Sequence, residues 1–72
     1  MELDEIQKAV GAQMKKAREN AGLSQLQLKD KTRLGKAHIS HCEAGRKNLT
    51  LDTIRRFSVG CGVPAKFFFE FE

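Results

Sequence analysis

The stretch from Gly22 to Gly45 leaves its backbone few choices. Ser24 has the chemistry of an N-cap, because its hydroxyl accepts a hydrogen bond from an orphan amide of the first turn, and Gln27 three residues on completes a capping box. A helix carrying Leu26 and Leu28 follows and is expected to end near Lys31. After the bend Thr32-Arg33-Leu34, Gly35 caps a second helix. Leu34, Ile39 and Cys42 give it an apolar stripe at helical spacing, and Gly45 stops it. The expectation is two short helices set against each other across a tight turn, over about residues 24–44.

Two helices of this length joined in this way make a helix-turn-helix, whose second helix enters the DNA major groove. Arg18, the run Gly22-Leu23-Ser24-Gln25, Leu28, Ile39-Ser40, Glu43, Gly45 and Asn48 fall in the order and spacing of the Cro/cI-type helix-turn-helix domains, the XRE family. The chain resembles that family over nearly its whole length. The resemblance is specific because a capped Gly-Leu-Ser-Gln, an Ile-Ser-x-x-Glu-x-Gly and an upstream Arg must coincide. Four positions depart from the family: Lys29 stands where a small residue is usual, Arg33 where Gly is, Gly35 where Ser is and Leu49 where Pro is. In a left-handed turn position Arg33 would cost about 1–2 kcal/mol.

The resemblance implies an all-α, compact five-helix domain of the lambda-repressor type, in which Arg18 pairs with Glu43 and ties the first helix to the motif. It also implies how DNA is met. Lys36, Ala37 and His41, with His38 beside them, are the candidates for base contact, since they stand at the start of the second motif helix and one turn further along its outer face. Ser24, Gln25, Ser40, Arg46, Lys47 and Asn48 are the candidates for phosphate contact.

Seventy-two residues are expected to make one domain, 1–72, near the size at which a single core is barely sufficient. Met1 to Asp4 reads as a frayed lead. From Glu5 to Ala21, the residues Ile6, Val10, Met14, Ala17 and Ala21 mark one face of a helix closed by Gly22, with Gly11 weakening it by about 1 kcal/mol relative to Ala. Thr50 caps a fourth helix, with Asp52 in its first turn and Leu51, Ile54, Phe57, Ser58 and Cys61 along its inner face. Gly60 and Gly62 end it, Val63 enters the core, and Pro64 suits the first turn of a brief fifth helix or helical turn.

Four of the five phenylalanines fall in the last six residues, more than so small a core can easily hide. Phe68 and Phe69 match the family's closing pair and are expected to cover the core. The surplus points to an interface, with Phe67, Phe69 and Phe71 as candidate anchors of a homodimer.

The net charge of +4 is placed unevenly. Lys29, Lys31, Arg33, Lys36, Arg46 and Lys47 face only Asp30 and Glu43, while the rest of the chain balances at seven against seven. A basic excess confined to a groove-entering motif is suited to neutralising phosphates. No apolar run approaches a membrane span, and the acidic start Met1-Glu2-Leu3-Asp4-Glu5 is unlike a signal peptide, so a cytoplasmic protein is expected. Cys42 and Cys61 stand where the pattern wants apolar residues and read as buried free thiols.

His38, His41 and Cys42 crowd one turn but do not converge, because Cys42 should face the core, so no metal is expected. No nucleophile elbow, paired carboxylates or phosphate loop accompanies them, which argues against an enzyme, a cofactor or a small-molecule ligand. The expected function is a transcriptional regulator, a repressor or controller protein, that binds double-stranded DNA as a homodimer on a palindrome. The alternative is an antitoxin or interaction module of the same fold whose main partner is a protein, a reading kept open by Leu26 and the phenylalanine tail.

Overall fold

Val10, Met14 and Ala17 recur at helical spacing and all three are buried, on the first α-helix. The computed structural model describes residues 1–46 and 49–71. Among these it is all-helical: α1 (Leu3–Asn20), α2 (Gln25–Thr32), α3 (Lys36–Glu43) and α4 (Leu51–Cys61) precede a single 3-10 helix (Ala65–Phe69). Of the two forms expected after Pro64, a brief fifth helix or a helical turn, the chain takes the turn, a 3-10 one closed by Phe67 N–H on Pro64 O and Glu70 N–H on Phe67 O. Five residues anchored by one buried ring, Phe68, are too few for the costly α-helical nucleus to be repaid.

The frayed lead is also shorter than expected. α1 begins at Leu3, because the Glu5 carboxylate accepts the Glu2 N–H at 3.1 Å and Asp4 and Glu5 lie favourably at the positive end of the helix. At the other end Ala21 is exposed as the C-cap rather than part of the core face. Gly22, at φ 73°, turns the chain, and Leu23 N–H bonds back to Arg18 O.

The core gathers one stripe from each helix: Val10, Met14 and Ala17 of α1, Leu28 of α2, Ile39 and Cys42 of α3, and Ile54, Phe57 and Cys61 of α4, closed by Leu34 and Phe68. Phe57 and Phe68 meet edge to face at 6.3 Å. α4 runs through Gly60 and ends at Gly62. Leu51, expected on its inner face, is instead 84% exposed at its first position. Asp52 beside it accepts from both Arg55 and Arg56, at 2.6 and 2.9 Å. The hydrogen bond from Arg55 holds its carboxyl below the usual range.

Gly11 lets α1 and α3 approach. A Cβ there would lie 2.5 Å from Cys42 O and 2.9 Å from Glu43 O, both backbone atoms. Gly45 makes the same contact from the other side: at φ 74° its Cβ would fall 2.7 Å from Lys8 Cα. The two helices therefore touch backbone to backbone, and this sets the angle at which α3 leaves the domain.

Candidate nucleic-acid interface

Positioning of α3 begins with the cap of α2. Ser24 Oγ accepts the Gln27 N–H at 3.0 Å, and Gln27 Oε1 accepts the Ser24 N–H at 2.8 Å. The turn that follows passes through Arg33 at φ 63° and ψ 15°, the only non-glycine residue at positive φ among those described. Thr32 holds this conformation. Its buried hydroxyl donates to Leu28 O at 2.8 Å and accepts the Leu34 N–H at 3.2 Å, while Arg56 Nη1 donates to Thr32 O at 3.1 Å. These bonds keep Arg33 where its side chain costs about 1–2 kcal/mol. The turn keeps the left-handed shape although the residue there is not glycine.

The second brace is ionic. Arg18 Nε donates to Glu43 Oε2 at 2.7 Å and Nη2 to Glu43 Oε1 at 3.0 Å, while Nη1 donates to Leu23 O at 2.8 Å. The side chains are only 11% and 4% exposed. The hydrogen bond to Glu43 raises the Arg18 pKa, against the opposing effect of burial. This fork joins α1 to the end of α3 and, through Leu23, to the approach of α2. Gln25 completes it, since its Nε2 donates to Glu43 Oε1 at 3.2 Å. The sequence pattern does not show this bond, because the partners stand 18 positions apart and the family resemblance points Gln25 only toward a phosphate.

With α3 held in this way, Ile39 and Cys42 face the core and Lys36, Ala37, Ser40 and His41 share an exposed arc. His38 is half-buried at the margin of that arc. Gly35 caps the helix without a side-chain bond, leaving the approach to Lys36 open. Beyond α3, Arg46 is exposed and its N–H closes the helix on His41 O at 2.9 Å. Lys47 and Asn48 lie outside the described residues. Of the other candidates, Ser24 is exposed but occupied as a cap, and Gln25 is half-buried on Glu43.

A notch of about 280 Å³ opens where α1, α2 and α3 meet, lined by Lys15, Arg18, Gln25, Ser40, Glu43 and Ala44. Lys15 was not singled out from the sequence. Its position three residues before Arg18 is the signal that places both on one side of α1.

Of the three phenylalanines expected as anchors, Phe69 is 50% exposed, whereas Phe67 and Phe71 are half-buried against the core. Phe67 also stacks edge to face with Phe68, and its carbonyl accepts from Gln13 Nε2 at 2.8 Å. Beside Phe69 an apolar groove of about 260 Å³ runs between α1 and α4, lined chiefly by Leu3, Ile6, Leu49, Leu51 and Ile54.

Both cysteines are buried and outside any disulfide among the described residues, and burial pushes the Cys61 thiol pKa up. Among the described residues no three His, Cys, Asp or Glu side chains group as metal ligands, and no helix is long and apolar enough to cross a membrane.

The family profile described as "Helix-turn-helix domain" matches residues 9–66, which include both braces and all of α3. The chain belongs to the helix-turn-helix domain family. Solved structures carry the same fold. The restriction-modification controller protein C.AhdI from Aeromonas hydrophila superposes with a TM-score of 0.80 at 21% identity, over 85% of this helix-turn-helix chain and 92% of that one. The clp gene regulator ClgR from C. glutamicum gives 0.83 at 20% identity, over 89% and 83%. No curated protein sequence matches the chain.

Proposed function

We propose that this helix-turn-helix chain is a sequence-specific, double-stranded DNA-binding regulator of transcription, a single domain over residues 1–72 that acts in the cytoplasm as a homodimer on a palindromic operator. The observation that carries the reading is the arc Lys36, Ala37, Ser40 and His41, exposed on a helix whose opposite face is fixed by the core and by Arg18 on Glu43. An outer face held so firmly has no other packing role in the domain. In the major groove, Lys36 would donate to guanine O6 and N7, Ala37 would touch a thymine methyl and His41 would donate to a purine acceptor, with His38 at the edge. Ser24, Gln25, Ser40 and Arg46, together with Lys47 and Asn48, would meet phosphates and fix the register. No cofactor, metal or catalytic step enters this reading.

A second copy would cover the Leu3, Leu51 and Phe69 groove, with Phe67 and Phe71 stiffening the segment that carries Phe69. Two α3 helices set about 34 Å apart would then enter successive major-groove faces. A protein-directed module remains the second reading on one observation: Leu26 on α2 is 55% exposed. A toxin gene beside this one would favour that reading, while a divergent promoter or restriction and methylase genes would favour the first.

Base and phosphate contacts fail differently, and this tests the assignment. On a duplex selected from random sequence, Lys36→Ala or His41→Ala is expected to cost about 1–3 kcal/mol and to relax preference at one base pair per half-site. Lys47→Ala is expected to weaken all sequences alike and to lower the salt slope by about one unit. If Lys36→Ala leaves the ranking of single-base variants of the duplex unchanged, Lys36 holds a phosphate and does not read a base.

A further inference from the structure

A cleft of about 300 Å³ runs between the end of α2 and α4, lined by Lys31, Thr32, Arg33, Arg55, Arg56 and Val59. Four of these side chains are cations. Among the described residues Asp52 is the one carboxylate within ion-pair range of them, shared by Arg55 at 2.6 Å and Arg56 at 2.9 Å, so four charges against one leave the cleft at +3. Lys31 and Arg33 have no ion-pair partner among those residues. Asp30 stands on the other side of Arg33, in a neighbouring notch with Lys29. Amid the charges Val59 is 75% exposed. Arg33 is the most informative member. It holds φ 63°, where glycine would sit without strain, and a strained residue with no internal ion pair marks a surface that meets something else.

We propose that this cleft seats an acidic segment of a partner protein, with Lys31 and Arg33 holding its carboxylates and Val59 meeting an apolar side chain between them. A guanidinium grips a carboxylate through two parallel N–H donors, which suits Arg33 and the outer side of Arg55. Duplex phosphates would satisfy the cations equally well but present nothing to Val59, and that favours an amphipathic protein segment. Position favours it too. Lys31 packs beside Gly60 of α4, and it lies about 120° round α2 from Gln25 and about 9 Å further along. The cleft shares no residue with the arc of α3, so the proposal does not depend on the DNA-binding reading. It gives a role to Lys31 and Arg33, two of the motif's surplus cations that base and phosphate contacts leave unassigned.

The test selects binders to the full chain from a displayed library of random peptides and measures the strongest by fluorescence anisotropy. Selection should enrich sequences that combine Asp or Glu with a large apolar residue. Lys31→Ala and Arg33→Gly should each weaken the peptide by about threefold, the share of one exposed ion pair, while Lys36→Ala should leave it unchanged. Val59→Ser should weaken it as well. Arg33→Gly should not lower the melting temperature, because glycine fits φ 63°, so its loss of binding cannot come from unfolding. The peptide should also stay bound when a duplex selected from random sequence is added. Enrichment of uncharged or basic peptides, or binding indifferent to Lys31→Ala and Arg33→Gly, overturns the proposal. Displacement of the peptide by the duplex, with Lys31→Ala weakening the duplex too, overturns it and gives these cations to DNA. A chain that binds the acidic peptide and no duplex upholds the cleft and removes the reading of α3.

Discussion

Glu43→Ala is expected to lower the unfolding free energy by about 3–5 kcal/mol, because it leaves the Arg18 guanidinium buried without its counter-charge. The size follows from burial. A side chain 11% exposed cannot turn to water without unpacking α1, and its only other acceptor among the described residues is Leu23 O. A domain of this length has about 4–11 kcal/mol of stability in total, so the variant should lose a large share of it and melt well below the wild type. Arg18→Ala should cost a similar amount, since it strands a carboxylate that is 4% exposed. The double variant should lose less than the two single losses combined, because the stranded charge is then absent. Thermal and urea melts of the three proteins measure this, and small, additive losses would show that the pair contributes little.

Gly11→Ala is expected to destabilise by about 3 kcal/mol, the upper end of the range for overpacking. Helix propensity alone argues for a gain of about 1 kcal/mol from the same change. Contact decides between them: the new methyl would sit 2.5 Å from Cys42 O and 2.9 Å from Glu43 O, and both are backbone atoms that move only if α3 moves. Since those carbonyls end the helix that carries the exposed arc, any surviving folded protein should also bind DNA less well. Urea unfolding of Gly11→Ala measures the first effect, and a variant more stable than wild type would show that the helices do not meet as described.

These two variants also mark where the sequence was legible. The caps Ser24 with Gln27 and Thr50, and the stops Gly22, Gly45 and Gly62, are local chemistry written in adjacent residues, and the structure uses each of them. The proximity of Arg18 and Glu43 came from the family resemblance, because periodicity places each on a face without saying that the faces meet. Gly11 went the other way. Its role depends on a carbonyl 31 positions further along the chain, so propensity saw only a weak helix former.

The tail was hard to read for a different reason. Phe67, Phe68 and Phe69 are consecutive, with no polar residue between them to show which side faces in, and the 3-10 geometry buries Phe68 while leaving Phe69 half exposed. Leu51 misled in the same way, since an apolar residue at the first position of a helix can face outward beside the cap. Lys15 was missed because its neighbours in the notch come from three separate helices.

Sequence-specific reading by α3 is the central claim, and it is tested most directly by selecting wild-type binding sites from a pool of random duplexes. The account predicts enrichment of one palindrome whose half-sites are centred about one helical turn apart, roughly 10 base pairs. Recovery of the starting pool unchanged, with binding that depends on salt alone, would contradict it.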